Sequence, residues 1–175
     1  MNAAAVLRKY IIPLIVAAVA LSVYMRSGGE AAKISRVTGA SARGYEIVRS
    51  EDTHGGCHGD GHTFIIAAFD GGAARELSAL LEKNSEWKPL PLGRTLTALA
   101  YGLREGANQF GPYVTGRGGG ALLPKIGRGY YFFKDRRSEA ASDGGEGILS
   151  RASLNFTLAV FDTERNRLYY YELDT

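Results

Sequence analysis

Residues 153–173 read SLNFTLAVFDTERNRLYYYEL, two apolar and aromatic runs on either side of a polar stretch from Asp162 to Asn166. Phe, Val, Leu and Tyr at this density suit a pleated, buried surface. Two such runs with a short polar link predict a β-hairpin, with strands over 153–161 and 167–173. Upstream, GYYFFK at 129–134 has the same composition and predicts a third strand. The polar, glycine-containing insert at 135–150 between it and the hairpin is expected to be a surface loop.

Nearer the amino terminus, 45–49 reads as a short strand and HTFIIAAF at 62–69 as a buried one, with Asp60-Gly61 between them as a hairpin-turn dipeptide. Asp70 is placed to cap a helix over 73–83, in which Ala73, Leu77, Leu80 and Leu81 share a face and Asn84 ends the run. Pro89 and Pro91 make Trp87 to Leu92 an extended connection. Leu92, Leu96, Leu99 and Leu103 fit a second helix. Residues 106–129, with eight glycines and two prolines, are expected to hold a long, mobile loop. The order strand, strand, helix, helix, strand, strand, strand implies an α+β domain, one mainly antiparallel sheet with one or two helices packed on one face.

The first 43 residues have a different character. Tyr10 to Met25 is sixteen residues without a charge, flanked by Arg8, Lys9 and Arg26. Apolar side chains occupy every face of this run, so it reads as a transmembrane helix, with lysine and arginine snorkelling at its ends. A cleaved signal peptide is the rival. Cleavage after the Ala18-Val19-Ala20 triplet would leave too short an apolar core, and no small-residue site follows Met25 directly, which favours a retained signal anchor. The expected organisation is a cytoplasmic tail over 1–9, a bilayer-spanning anchor over 10–25, a flexible tether over 26–43 and one extracytoplasmic domain over 44–175.

The net charge of +3 does not indicate a nucleic-acid partner. Six of the 21 Lys and Arg lie before Gly44, but only Glu30 of the 18 Asp and Glu does, so the domain holds fifteen basic and seventeen acidic residues. The basicity belongs to the anchor and tether, where anionic lipid headgroups account for it. A single cysteine allows no intramolecular disulfide, so packing must hold the domain together. Arg128-Gly129-Tyr130-Tyr131 only begins like an RNA-binding strand motif, and the glycine-rich Gly116 to Gly120 lacks the Lys-Ser or Lys-Thr of a phosphate loop.

All three histidines and the cysteine fall within His54-Gly55-Gly56-Cys57-His58-Gly59-Asp60-Gly61-His62. Imidazole, thiolate and carboxylate are the groups that bind transition metals and move protons near neutral pH. The candidate ligands for zinc or iron are His54, His58, Asp60 and His62, and the candidate catalytic pair is His58 with Asp60. In an extended chain His58, Asp60 and His62 would share a face, with Cys57 on the other. The competing reading is a glycine-rich turn in which Asp60 caps backbone N–H groups, Gly61 takes a positive φ, and His54 and His58 pair with Asp52, Asp60 or carbonyls.

Several phrases recur together: Asp52-Thr53-His54-Gly55-Gly56 with His58-Gly59-Asp60-Gly61, then Trp87 with Leu90-Pro91-Leu92, Pro124-Lys125-Ile126 with Gly129-Tyr130-Tyr131-Phe132, Asp135-Arg136, Asn155 to Ala159, and Leu168 to Tyr171 through Asp174-Thr175. In combination they resemble a family of small bacterial membrane-anchored or exported proteins with a Tyr-rich carboxyl-terminal hairpin. The resemblance covers roughly 45–175 and implies one folded unit; it implies no activity. Cys57 departs from it, standing where an aromatic is usual, and His62 lies outside the shared phrase. The functional expectation is therefore a binding or interaction domain at the cell surface for a protein or small-molecule ligand. The alternative is a metal-dependent hydrolase centred on His58 and Asp60.

Overall fold

The computed structural model of the chain describes residues 12–13, 29–39, 43–55, 59–137 and 147–175. It divides into two units, Met1–Ser41 and Ala42–Thr175. In the first unit, residues 29–38 form a helix, α1, inside the stretch over 26–43 expected as a flexible tether. Glu30, Ala31, Ala32 and Lys33 are good helix formers. Gly39, at φ +67°, closes the helix by donating its N–H to the Ser35 carbonyl at 2.9 Å. Ile34 and Val37 are buried. The expected tail over 1–9 and anchor over 10–25 lie outside the described residues, apart from Ile12 and Pro13. Among the described residues no helix is long and apolar enough to cross a membrane.

The second unit contains strands β1 (Tyr45–Asp52), β2 (Gly61–Phe69), β3 (Trp87–Pro89), β4 (Leu103–Glu105), β5 (Asn108–Phe110), β6 (Gly129–Asp135), β7 (Phe156–Asp162) and β8 (Arg167–Asp174). Helix α2 (Gly71–Lys83) follows β2, and α3 (Arg94–Tyr101) follows β3. Six strands pair antiparallel in the order β1-β2-β8-β7-β6-β3, and β4 with β5 forms a separate hairpin. The α+β class with an antiparallel sheet is as the sequence predicts.

Every residue of β7 is buried. A strand without a polar face needs cover on both sides. On one side Phe156, Leu158 and Val160 meet Tyr169 and Tyr171 of β8 and Phe64 of β2, and Leu96, Leu99 and Ala100 of α3 close this core with Val114 and Leu123. The other side carries Ala159, Phe161, Leu168, Tyr170, Ile65 and Phe132, all buried. Helix α2 lies over β2, β3 and β6, and its buried Ala74, Leu77 and Leu81 are not part of the α3 core. The helices therefore occupy opposite faces of the sheet. This corrects the expectation of helices on one face, and the reason is the unbroken burial of β7 and of Leu168 to Tyr171.

The local signals around α2 hold. Asp70 Oδ1 accepts the N–H groups of Gly72 and Ala73, each at 2.9 Å, and Asn84 ends the helix. The expected mobile loop over 106–129 is instead tied down. The Leu99 carbonyl accepts the N–H groups of Tyr113 and Val114 at 2.7 and 3.0 Å, and Thr115 bridges to Ala121. Burial of Val114 and Leu123 holds the base of this segment, leaving a short tip over 117–121 exposed. The sheet edges are blunted: β3 carries Pro89, and β1 has a bulge between Ile47 and Arg49. Gly129, at φ +142°, lets β6 start hard against β7, since a Cβ there would stand 1.8 Å from the Phe161 carbonyl oxygen.

Burial pushes the Tyr171 phenol up to about 12, and its hydroxyl donates to the Tyr113 carbonyl at 2.9 Å. Burial, followed by the hydrogen bond to Glu172, raises the neighbouring Tyr170 as well. In the unfolded chain a tyrosine ionises near pH 10, so above that pH the unfolded state releases protons that the folded state retains. The contribution of these two residues is complete below about pH 10 and is lost as pH rises toward the folded-state value. Urea midpoints measured from pH 8 to 11.5 should fall steeply above about pH 10. Tyr171→Phe should be less stable at pH 8 and show a shallower alkaline decline; an unchanged decline would refute this account.

Candidate functional site

One end of the sheet collects the polar residues that close its strands. The register sets Asp52 opposite Thr63, Thr63 opposite Glu172, and Gly61 opposite Asp174. Beyond β1 the chain turns at Asp52, whose Oδ1 accepts the His54 backbone N–H at 3.0 Å and lies 2.8 Å from His54 Nδ1. His54 Nε2 lies 3.2 Å from Asp174 Oδ2 at the far end of β8. Asp174 Oδ1 in turn accepts from Arg136, just past β6. The same guanidinium donates to Glu172 and to the Leu173 carbonyl, the latter at 2.8 Å, and Glu172 Oε2 accepts the Tyr170 hydroxyl. A single polar chain thus runs Asp52, His54, Asp174, Arg136, Glu172, Tyr170, joining β1, β8 and the end of β6.

Gly61 makes this turn possible. A Cβ there would lie 2.6 Å from both N and Cα of His54, a clash with backbone that no rotamer relieves. The turn is closed by Gly55 N–H to the Asp60 carbonyl at 3.3 Å, and by Thr53 N–H to the His62 carbonyl at 2.9 Å. Asp60 thus closes the loop through its carbonyl, and its side chain is exposed.

His62 belongs to the other side of the sheet end. Its ring stacks on Tyr171 at 5.5 Å and 22°. Nδ1 lies 3.1 Å from Thr53 Oγ1, and Nε2 lies 3.3 Å from Glu51 Oε1. The residue is 7% exposed. Residues that alternate along paired strands point to alternate faces, so the Glu51, Thr53, His62 group and the Asp52, His54, Thr63 group stand on opposite sides of the sheet.

Of the sequence-predicted ligands, His54 and His62 are therefore on opposite faces. His54 and His62 do not converge, Asp60 is exposed at the loop, and His58 lies with Cys57 outside the described residues. Among the described residues, no group of three or more His, Cys, Asp and Glu side chains is arranged to hold a metal. Both ring nitrogens of His54 face carboxylates, so neither is turned outward as a general base or ligand. Its pairing with Asp52 matches the turn reading of the sequence. Arg136, Asp174, Glu172 and Glu51 are the residues that sequence reasoning did not assign to this region. The one signal for two of them was their place in the phrases Asp135-Arg136 and Asp174-Thr175.

The Arg136 side chain is 23% exposed and that of Glu172 is 15%, so removing the cation strands a carboxylate with little solvent to screen it. Arg136→Met should cost on the order of 2–4 kcal/mol in urea unfolding, and Arg136→Lys should restore only part, because an ammonium cannot serve Glu172, Asp174 and the Leu173 carbonyl as a planar fork does. Full recovery by lysine would reduce the network to simple charge balance. Comparison of the chain with protein-family models, with curated proteins and with solved structures gives no match.

Proposed function

We propose that the chain is a single-pass membrane-anchored protein, amino terminus in the cytoplasm, whose α+β domain works outside the membrane as a binding or interaction module. The sixteen-residue uncharged run at 10–25 supports the anchor, and the slight acidic excess of the domain argues against a nucleic-acid partner. The observation that carries the binding reading is the segment from Gly111 to Leu123. Its base is fastened by the Leu99 carbonyl, the Tyr171 hydroxyl and the burial of Val114 and Leu123, while 117–121 is exposed. Loops that carry recognition are commonly displayed in this way, an accessible tip on a rigid scaffold. The tip is itself a closed turn, with Gly119 N–H donating to the Gly116 carbonyl at 2.9 Å and Gly116 N–H to the Gly120 carbonyl at 3.0 Å, so Arg117 is displayed on a defined backbone.

Two measurements test the reading. The full chain should remain with membranes through an alkaline carbonate wash and be digested by protease added from outside to osmotically opened cells; recovery in the soluble fraction would overturn the anchor. A photo-crosslinking residue placed at 117 or 119 should give a discrete adduct in intact cells, whereas the same probe at Leu80, exposed on α2, should not. Equal labelling from both places, or none from the tip, would overturn the binding role of this segment.

A further inference from the structure

His62 is the one buried side chain among the described residues with a ring nitrogen, Nε2, that has no hydrogen-bond partner. Its other ring nitrogen, Nδ1, faces the Thr53 hydroxyl. The Thr53 hydroxyl accepts the His62 backbone N–H at 2.8 Å and gives its own hydrogen to the His62 carbonyl at 3.3 Å. With its hydrogen on the carbonyl it accepts from Nδ1, 3.1 Å away; turned to Nδ1 it would donate there instead. In the first arrangement Nδ1 is the N–H and Nε2 presents a lone pair; in either arrangement Nε2 has no hydrogen-bond partner. Nε2 lies 3.3 Å from Glu51 Oε1, a carboxylate oxygen that only accepts. The other Glu51 oxygen is taken by Arg49 at 3.1 Å. In the first arrangement two acceptors face each other at a buried nitrogen, and Oε1 lies outside hydrogen-bond geometry for a proton placed on Nε2.

We propose that His62 Nε2 and Glu51 Oε1 are two protein ligands of a divalent transition-metal cation of the zinc class, with water completing the coordination. Zinc binds imidazole nitrogen and carboxylate oxygen at about 2.0–2.2 Å, which in a tetrahedron sets the two ligand atoms about 3.3–3.5 Å apart; the observed separation is 3.3 Å. The Thr53 hydroxyl plays the part of the outer partner that holds a metal-binding imidazole in one tautomer. The Glu51 side chain is 25% exposed, which gives water and the ion a route in. The site differs from the cluster that the sequence suggests: it uses neither His54 nor Asp60, and it ties β1 to β2 beneath the Tyr171 ring. It is independent of the binding role proposed for the 111–123 segment.

The test uses the purified full chain in detergent, stripped with chelator, with zinc chloride as the only added metal. Calorimetric titration should give one zinc per chain, and the thermal midpoint should rise with zinc concentration, as it must for an ion bound only by the folded state. His62→Gln and Glu51→Gln should each weaken binding at least tenfold, while His54→Gln and Asp60→Asn should leave it within twofold. X-ray absorption at the zinc edge should show a nitrogen and oxygen shell with one imidazole, a readout that does not depend on any variant folding. No binding at 100-fold excess zinc, binding that survives His62→Gln in a folded protein, or a sulfur shell assigning the ion to Cys57 would each overturn the proposal.

Discussion

The β7 strand, Phe156–Asp162, has no residue exposed to solvent, and the rest of the domain is arranged around that fact. Its neighbours β6 and β8 take up its backbone hydrogen bonds, which leaves its two faces to be covered by different parts of the chain. Helix α3 and the segment through Val114 and Leu123 cover one face, and α2 the other. Each fully buried large apolar side chain is worth roughly 1.5–3 kcal/mol, so Phe156, Leu158, Phe161, Leu168 and Tyr170 together form a central stabilising layer with no disulfide to assist it. The buried phenols add hydrogen bonds to this layer: Tyr171 ties it to the loop at Tyr113, and Tyr170 to Glu172.

The same burial explains the polar end of the sheet. Strands that are buried through most of their length must still terminate, and their last residues need partners for charge and backbone alike. The strand alternation divides those residues between two faces. Asp52, Asp174, Glu172 and Arg136 gather around His54 on one, and Glu51, Thr53 and Tyr171 around His62 on the other. Among the described residues, the cluster that the sequence suggests divides into a carboxylate-imidazole-arginine clasp around His54 and a separate buried histidine, His62. Within the clasp His54 pairs with Asp52 and Asp174, and Arg136 with Asp174 and Glu172.

Much of the fold was legible because local chemistry sets it. The β7–β8 hairpin, the helix capped by Asp70 and ended at Asn84, and the extended path through Pro89 all lie where apolar runs, capping residues and prolines put them. The clasp was half legible: the Asp52 to His54 pairing is a two-residue turn interaction, visible in a short stretch of sequence. Its remainder was not, since Asp174 is 120 residues from His54 and Arg136 is 38 from Asp174. Contacts at that separation leave no periodicity or spacing to read. Helix α1 over 29–38 and the fastened base of the glycine-rich segment differ from what their small and glycine residues suggest, because a few helix formers and two buried side chains decide the outcome.

By itself, then, the sequence determined the class of the domain, the identity of its central hairpin and the turn that holds His54, because hydrophobic period, capping and turn preference act over a handful of residues. Only the tertiary structure decided that the helices take opposite faces and that His54 and His62 part company. Those outcomes depend on register, and in a sheet a shift of one residue moves a side chain from one face to the other.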